Sequence, residues 1–327
     1  MIKVGFFSSQ KYEQAFFPAH PREGINIIHF EQALDARTTP LCQGMNAVCV
    51  FVNDVLDQTV LEQLSDAGVK LIALRCAGFN NVDLDTARQL GIQVCRVPAY
   101  SPQAVAEHCV AMILTLNRKT HKAYNRVRED NFDLNGLLGF NLFRKTVGII
   151  GGGQIGRSLA SIMKGFGCEV LVHDPYPQQG DFTQVELPQL LAQSDIISLH
   201  CPLNKATYHL ISDEQFAQMK DGVMLINTSR GALVDTHACI EALKSGKLGY
   251  LGLDVYEQES GLFFRDLRDT IQLDDIFARL ISFPNVLVTG HQGFFTQEAL
   301  QEIATTTLDS LEAFGRGEPL GEKALTS

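Results

Sequence analysis

Three residues in the second half of the sequence carry side chains that together could reduce a carbonyl group. Arg230, Glu259 and His291 each follow an apolar segment that is typical of a buried strand, and in parallel α/β sheets ligands bind beyond the carboxyl ends of the strands. The planar guanidinium of arginine can hold a carboxylate and polarise a carbonyl. Histidine titrates in the range that suits a proton donor, and a carboxylate on its second ring nitrogen would orient the ring and favour its protonated form. This set predicts hydride transfer to a 2-keto acid.

Each of the three residues also has an ordinary structural interpretation. His291 is one of nine histidines, and a single histidine is more often structural than catalytic. Arg230 could pair with an acidic neighbour on the surface. Glu259 lies in an acidic stretch in which Glu257 is a rival, so spacing alone leaves the partner of the histidine open. The joint placement of the three residues after a dinucleotide motif favours the catalytic interpretation.

A glycine-rich segment fits the pattern Gly-x-Gly-x-x-Gly. A predicted strand, Thr146–Ile150, leads into it, and a helical stretch over residues 157–166 leads out, which is the context that a dinucleotide site requires. Gly151 permits the tight turn, Gly153 lets the backbone approach a pyrophosphate at the helix N-terminus, and Gly156 lets the helix pack on the strand. The segment therefore predicts a dinucleotide cofactor.

An acidic residue, Asp174, follows Gly156 by eighteen residues, at the end of the predicted strand Glu169–His173. A carboxylate at this point accepts hydrogen bonds from ribose hydroxyls and repels a 2′-phosphate. The next three residues include no arginine that could receive such a phosphate. The sequence therefore predicts NAD and not NADP.

Apolar and amphipathic segments alternate in a βαβ rhythm, which predicts an α/β fold with two doubly wound parallel-sheet domains. The first series of predicted strands covers residues 2–7, 26–30, 47–52 and 70–74, and the second covers 146–150, 169–173, 196–200, 223–227, 250–255 and 286–289. An apolar helix over residues 103–116 joins them, and a last helix over 297–314 could return to the first domain. We expect a flavodoxin-like substrate domain over residues 1–100 and 297–327, with a Rossmann NAD-binding domain over residues 101–296 inserted into it and a cleft between them.

Composition and charge narrow the classes of function. A chain of 327 residues suggests two domains. A net charge of −10 argues against nucleic acid as a partner. The sequence has no signal-peptide pattern and no apolar run of about 18 residues, so we expect a cytoplasmic protein without membrane contact. Its eight cysteines are scattered with no Cys-x-x-Cys pair, which predicts reduced thiols and no metal site.

Six segments carry a family resemblance: residues 74–83, 97–107, 151–156, 227–231, 253–259 and 289–296. Together they resemble the D-isomer-specific 2-hydroxyacid dehydrogenases, and most closely the fermentative D-lactate dehydrogenases. The resemblance implies that Arg230 binds and polarises the substrate, that His291 is the proton donor, and that Glu259 rather than Glu257 is the partner of the histidine.

The resemblance also implies binding residues. Backbone amides at Ala77 and Gly78 would hold the substrate carboxylate with Tyr100 nearby, and Phe294 would limit substrate size. Asp254 would contact the nicotinamide carboxamide. The residues expected to line the NAD site are Gly151, Gly153, Gln154, Ile155, Gly156, Asp174, Cys201, Pro202, Thr228, Ser229, Arg230 and Asp254.

Residues 260–283, between Glu259 and the last strand, resemble the D-lactate branch, so pyruvate and D-lactate are the expected substrate pair. Gly290 and Gly293 replace a proline and an alanine that are common in the wider family, which leaves a larger 2-keto acid or hydroxypyruvate as an alternative. A non-enzymatic NAD-sensing protein is the alternative from another class. We expect a homo-oligomer, dimer or tetramer, to which the helix over residues 103–116 and its neighbours could supply a two-fold interface.

Overall fold

The computed structural model describes residues 1–176, 178–264, 266–270 and 274–326. Its strands are β1 (Ile2–Phe6), β2 (Ile25–His29), β3 (Ala47–Val50), β4 (Leu71–Leu74), β5 (Gln93–Arg96), β6 (Thr146–Ile150), β7 (Glu169–His173), β8 (Thr183–Gln184), β9 (Ile196–Leu199), β10 (Val223–Asn227), β11 (Leu248–Leu253) and β12 (Val286–Val288). Its helices are α1 (Gln58–Asp66), α2 (Leu84–Gln89), α3 (Pro102–Arg118), α4 (Thr120–Arg128), α5 (Gln154–Gly165), α6 (Leu187–Gln193), α7 (Asp213–Gln218), α8 (Thr236–Ser245), α9 (Asp275–Ile281) and α10 (Gln297–Arg316).

The chain divides into two compact units. The first contains residues 1–101 and 295–327, and the second contains residues 102–294. In the first unit, five parallel strands lie in the order β2-β1-β3-β4-β5, which is the flavodoxin-like order. Every residue of β3 and β4 is buried, because these central strands are covered on both faces, as parallel sheets usually are.

In the second unit, seven parallel strands lie in the order β12-β11-β10-β9-β6-β7-β8. This is the Rossmann order with one further strand. The order in which strands follow one another across the sheet reverses between β6 and β9, and such sheets bind ligands at this point. The long helix α3 packs on this sheet through buried Ala106, Cys109 and Ile113. The carboxyl ends of β10, β11 and β12 are therefore neighbours at one edge of the same sheet.

The predicted fold class is confirmed, and the strand predictions differ from the structure in detail. Two strands were not predicted. In β5 only Val94 and Cys95 are fully buried, and β8 has two residues, both exposed, so neither strand carries a long apolar run. Helix α5 begins three residues before its predicted start because Gly153 is its N-cap, and β11 lies two residues earlier than predicted.

Helix ends are fixed by local capping. Asp57 and Asp83 accept hydrogen bonds from backbone amides in the first turns of α1 and α2, and Thr296 caps α10 in the same way. At its other end α10 stops at Gly317, which has a φ of 69°, a conformation that glycine adopts without strain. In the described part of the chain, no helix combines the length and the apolar character needed to span a bilayer.

Candidate active site

Glu259 and His291 form a hydrogen-bonded pair. Glu259 lies in the turn after β11 and His291 in the loop after β12, and Oε1 of the glutamate is 2.8 Å from Nδ1 of the imidazole. The other carboxylate oxygen accepts the amide of Tyr256 at 3.0 Å, which fixes the glutamate from its own loop. Nε2 of His291 makes no hydrogen bond with the residues described, so the pair leaves one ring nitrogen available. The side chains are only 20% and 17% exposed, respectively, which strengthens their electrostatic interaction.

Arg230 lies in the turn after β10, and the backbone of this turn touches the loop that carries Glu259. A Cβ atom at Gly231 would lie 2.1 Å from the carbonyl carbon of Tyr256, so only glycine permits this approach. Asn227, at the end of β10, donates from Nδ2 to the Arg230 carbonyl at 2.8 Å. Nη1 of the arginine donates to the preceding carbonyl at 2.6 Å, and the other guanidinium nitrogens make no hydrogen bond with described residues. The arginine therefore has donors available for an anion.

The loop that carries His291 is tied to a buried carboxylate. Asp254 follows β11 and is 1% exposed. Its Oδ1 accepts the hydroxyl of Thr289 at 2.5 Å and the amide of Gln292 at 2.8 Å, and its Oδ2 accepts the amide of Gly293 at 2.8 Å. These bonds lie on both sides of His291, whose φ of 56° is uncommon for a residue with a side chain. They give Asp254 a positioning role, and its contact with the nicotinamide carboxamide stays a prediction.

His108, on α3, is part of the same network and was not predicted. Its Nε2 lies 3.2 Å from Oδ1 of Asp254 and 3.1 Å from the hydroxyl of Thr289. Burial alone would raise the pKa of Asp254, but the hydrogen bonds from His108, Thr289 and the backbone hold the pKa below its ordinary value. The carboxylate is therefore ionised at neutral pH. One sequence signal pointed to this histidine, since it stands with Glu107 in an otherwise apolar helix.

The structure separates the two glutamates that the sequence left as rivals. Oε1 of Glu257 lies 2.7 Å from Nε2 of His209, and its Oε2 accepts the hydroxyl of Thr236 at 3.1 Å. Glu257 is therefore engaged in a different cluster, and Glu259 holds His291. Within the predicted D-lactate stretch 260–283, residues 265 and 271–273 lie outside the described residues, and α9 occupies part of the remainder.

The glycine motif forms a turn whose three key glycines differ in their surroundings. Gly151 has a φ of 105°, and a Cβ there would lie 2.6 Å from the neighbouring strand end. A Cβ at Gly156 would lie 2.0 Å from the Gly151 carbonyl oxygen. By contrast, no protein atom lies within 4 Å of a Cβ built on Gly153, and Gln154 and Ile155 open the first turn of α5. The space before this helix N-terminus is open, and its amides favour an anion, which fits a pyrophosphate.

Asp174 is held beside this turn. Its two carboxylate oxygens accept the amides of Gly152 at 2.8 Å and Tyr176 at 2.9 Å. The carbonyl of Asp174 accepts a hydrogen bond from the side chain of Gln184 at 3.0 Å. Pro177, which belonged to the segment predicted to lack a phosphate-binding arginine, lies outside the described residues. The fixed carboxylate fits a ribose with free hydroxyls and would repel a phosphate.

The remaining predicted cofactor residues lie at the ends of β9 and β10. Ser229 donates its hydroxyl to the Cys201 carbonyl at 2.8 Å, which joins the two loops, and the Pro202 carbonyl accepts the hydroxyl of Thr207 at 2.6 Å. Oγ1 of Thr228 is buried without a hydrogen-bond partner among the described residues. An unsatisfied buried hydroxyl costs free energy, and a polar group of a bound ligand would satisfy it. These residues therefore fit a dinucleotide.

In the first unit, the loop after β4 has its carbonyl groups hydrogen-bonded and two adjacent amides without partners. The carbonyl of Cys76 accepts the amide of Val97 at 3.2 Å. The carbonyl of Ala77 accepts Nη1 of Arg96 at 2.8 Å, and that of Gly78 accepts Sγ of Cys76 at 3.3 Å. The amides of Ala77 and Gly78 donate to none of the described residues. Successive free amides of this kind can bind an anion.

The two residues predicted to shape the substrate site lie at the ends of the units. Tyr100 follows β5 in the first unit and is half-buried. Phe294 is the last residue of the second unit and is buried. The place of Tyr100 near the substrate carboxylate and the role of Phe294 in limiting substrate size stay predictions.

The second unit matches a known family. The model of the D-isomer specific 2-hydroxyacid dehydrogenase NAD-binding domain matches residues 110–293. The chain belongs to this family. The predicted enzyme class and the predicted NAD cofactor are therefore confirmed. The dehydrogenase reaction of this family is one in which an arginine, a glutamate and a histidine at adjacent strand ends can take part.

Individual members of the 2-hydroxyacid dehydrogenase family are similar over nearly the whole chain. The D-lactate dehydrogenase of Escherichia coli K12 is 50% identical over 322 residues, which cover 97% of this chain and 98% of that protein. The 2-hydroxyacid dehydrogenase A of Aspergillus oryzae is 53% identical over 322 residues, covering 96% and 92% of the two chains. The apo structure of the D-lactate dehydrogenase from Escherichia coli aligns with a TM-score of 0.90 at 47% identity and covers 99% of this chain and 100% of that one.

Proposed function

We propose that this dehydrogenase reduces pyruvate to D-lactate with NADH, and that it catalyses the reverse reaction. The observation that supports this proposal most strongly is the Glu259–His291 pair, which is hydrogen-bonded at 2.8 Å and only partly exposed. Glu259 follows the strand next to the one that Arg230 follows. The identity of 50% with the D-lactate dehydrogenase of Escherichia coli supports this choice of substrate.

The second unit would hold the cofactor. We assign the pyrophosphate to the open helix N-terminus at Gly153 and Gln154, the ribose hydroxyls to Asp174, and a polar contact to the unpartnered hydroxyl of Thr228. When bound, NADH supplies the hydride that the substrate carbonyl carbon accepts. The residues of this chain then have to bind the keto acid and deliver one proton.

His291 is assigned as the proton donor. In its protonated form Nε2–H faces away from the glutamate and donates to the carbonyl oxygen as negative charge develops on it. Glu259 accepts the Nδ1–H and orients the ring so that Nε2 is directed away from the carboxylate. Acid catalysis of this kind is worth about 10²–10⁴-fold in rate. In lactate oxidation the neutral imidazole accepts the hydroxyl proton instead.

The substrate carboxylate is assigned to positively polarised groups. Arg230 offers guanidinium donors that make no hydrogen bond with described residues, and such donors bind a carboxylate with two parallel bonds. In the first unit, the unpartnered amides of Ala77 and Gly78 are assigned to a substrate carboxylate, so we propose the first unit as substrate domain and the second as NAD-binding domain. Tyr100 and Phe294 would limit the space for the substrate side chain.

We also propose that the protein is a homodimer. Most of α3 is buried within its own unit, so we place the expected interface on its neighbour α4, which has no buried residue. Tyr124 and Val127 on α4 and Phe132, Leu134 and Leu138 after it are between 52% and 85% exposed. Large apolar side chains exposed within one short stretch of chain favour an interaction site, and a two-fold dimer is the commonest assembly. Light scattering of the purified protein tests this proposal, and a monomer at micromolar concentration would contradict it.

A cytoplasmic location is part of the same proposal. All eight cysteines are free and buried, and desolvation raises the pKa of thiols such as Cys95 and Cys109 to about 12. Free thiols throughout a chain of this size are typical of proteins from a reducing compartment.

The deciding experiment measures NADH oxidation with pyruvate, 2-ketoisocaproate, phenylpyruvate and hydroxypyruvate, followed by a chiral assay of the product. We expect pyruvate to have the highest kcat/KM and the product to be D-lactate. A higher kcat/KM with a larger 2-keto acid or with hydroxypyruvate would reassign the substrate. Binding of NADH without oxidation by any of the four keto acids would instead support an NAD-sensing protein.

The variant His291→Ala tests the mechanism in the same assay. We expect kcat to fall about 10²–10⁴-fold because the proton donor is lost, while the Kd for NADH changes little. Near-normal turnover by the folded variant would contradict the assignment of His291.

A further inference from the structure

We propose that Arg96 is a positioning residue for substrate binding, which acts by holding the Ala77 carbonyl so that the Gly78 amide faces the substrate carboxylate. The inference rests on the proposed function, in which the amides of Ala77 and Gly78 bind that carboxylate. Arg96 itself touches neither substrate nor cofactor in this proposal.

The geometry of a single peptide group carries the first step. Nη1 of Arg96 donates to the carbonyl oxygen of Ala77 at 2.8 Å. In a planar trans peptide the carbonyl and the following N–H point in opposite directions. Fixing the Ala77 carbonyl toward Arg96 therefore turns the Gly78 N–H away from Arg96, and this N–H has no partner among the described residues.

The preceding peptide group follows the same rule. The carbonyl of Cys76 accepts the amide of Val97, the residue after Arg96, at 3.2 Å. The N–H of Ala77 is therefore turned away from the end of β5 as well. Two successive amides that face away from the same strand end form a concave donor site, the arrangement that binds anions in many proteins.

Charge adds a second effect. A hydrogen bond from a guanidinium is stronger than one from a neutral donor, and hydrogen bonds in a chain polarise one another. The positive charge of Arg96 on the Ala77 carbonyl therefore makes the Gly78 N–H a stronger donor to a carboxylate.

The position of Arg96 is itself fixed. It is the last residue of β5 and lies opposite Leu74 in the parallel pairing with β4. Leu74 precedes Ala77 by three residues in the chain. Its guanidinium lies 5.1 Å from the ring centroid of Phe79, a cation–π distance. The guanidinium of the neighbouring Arg75 is directed elsewhere, since its Nε donates to Glu13 at 2.6 Å and its Nη2 to the Ser8 carbonyl at 3.0 Å.

Arg96→Gln tests the proposal, with Arg37→Gln as the matched control because Arg37 is an exposed arginine of the same unit. We expect the KM for pyruvate and the Kd of oxamate, measured with NADH bound, to rise about tenfold, because a mis-aimed amide weakens binding equally in the ground and transition states. The kcat and the Kd for NADH should stay within about twofold of wild type. Arg96→Lys keeps the charge and one donor group, so its KM for pyruvate should be intermediate between those of Arg96→Gln and wild type.

The outcomes separate this inference from the proposed function. Wild-type protein that oxidises no NADH with pyruvate would refute the proposed function. Wild-type turnover together with an unchanged KM in Arg96→Gln would overturn the role of Arg96. An equal loss of affinity for oxamate and NADH would also overturn it, because that pattern indicates general structural damage. If Arg96→Gln does not fold, the milder Arg96→Lys decides, and an oxamate Kd equal to that of wild type overturns the proposal.

Discussion

Gly231 is the point where the loop of Arg230 meets the loop of Glu259, and the substitution Gly231→Ala should disrupt catalysis without removing any reactive group. A Cβ at this position would lie 2.1 Å from the carbonyl carbon of Tyr256 and 2.3 Å from the amide nitrogen of Glu257. Both atoms belong to the backbone, so no side chain can swing aside. The two loops themselves must move apart.

The size of the movement follows from ordinary contact distances. Non-bonded carbon atoms are most stable about 3.5 Å apart, so a contact at 2.1 Å requires the loops to separate by about 1.4 Å. The hydrogen bond between Glu259 and His291 is 2.8 Å long, and it would not survive a displacement of that size in the Glu259 loop. Misplacement of reacting groups by about 1 Å can cost about 10²-fold in rate. We therefore expect kcat/KM for pyruvate to fall about 10²-fold.

The assay is steady-state oxidation of NADH by pyruvate, together with the Kd for NADH and the midpoint of thermal unfolding. The Kd for NADH should rise by a smaller factor than kcat/KM falls, because only residues 228–230 of the proposed NAD site lie on the displaced loop, while the glycine motif at 151–156 and Asp174 lie on others. The matched control is Gly165→Ala at the end of α5, where no protein atom lies within 4 Å of the added Cβ. This control should keep wild-type activity.

Two results would refute the proposed effect of Gly231→Ala. If folded Gly231→Ala kept kcat/KM within about threefold of wild type, the contact between the two loops would not position the catalytic groups. A loss of NADH affinity as large as the loss of kcat/KM would also contradict it, because the damage would then extend beyond the loops of Arg230 and Glu259.

Three further substitutions test single interactions. Glu259→Gln should lower kcat for pyruvate reduction, because a neutral amide accepts the Nδ1–H of His291 less strongly than a carboxylate and orients the ring less firmly; a kcat equal to that of wild type would contradict this. Asp254→Asn should destabilise the fold by about 1–3 kcal/mol at neutral pH. The pKa of Asp254 is held below its ordinary value, so the carboxylate stabilises the fold at any pH above that ordinary value, and this stabilisation is lost as the pH falls through the lowered pKa. The difference in unfolding free energy from wild type, measured in urea, should therefore shrink below about pH 4. A difference that stays constant with pH would count against this role. Asp174→Ala should raise the ratio of kcat/KM for NADPH to that for NADH, because the carboxylate no longer repels the 2′-phosphate, and an unchanged ratio would remove this role.

The sequence predicts the fold well where a strand is buried on both faces. The apolar runs of β3, β4 and β10 are buried at every position, so hydrophobic pattern alone locates them. It does not locate β8, whose two residues are exposed and which joins the sheet by pairing with β7. Strands of this second kind depend on the neighbouring strand, and the local sequence carries no signal for that neighbour.

The candidate site divides in the same way. The rule that ligands bind at the carboxyl ends of parallel strands was enough to select Arg230, His291 and a carboxylate in the turn after β11. Spacing could not choose between Glu257 and Glu259, since both lie in one turn after β11. The choice follows from the direction in which that turn points each carboxylate, and the structure directs one to His209 and the other to His291.

The residues that sequence patterns miss share a physical property: they act on the backbone of other residues. Gly231 permits the contact with Tyr256, and Arg96 fixes the Ala77 carbonyl. Adjacent strands lie about 4.8 Å apart, so the pairing of β10, β11 and β12 is enough to bring the loops that follow these strands close to one another. What the fold does not supply is orientation, and hydrogen bonds and close contacts to backbone atoms supply it here. Substitutions at such positions should therefore change catalytic efficiency while every reactive side chain is still present, which is the behaviour that separates positioning from chemistry.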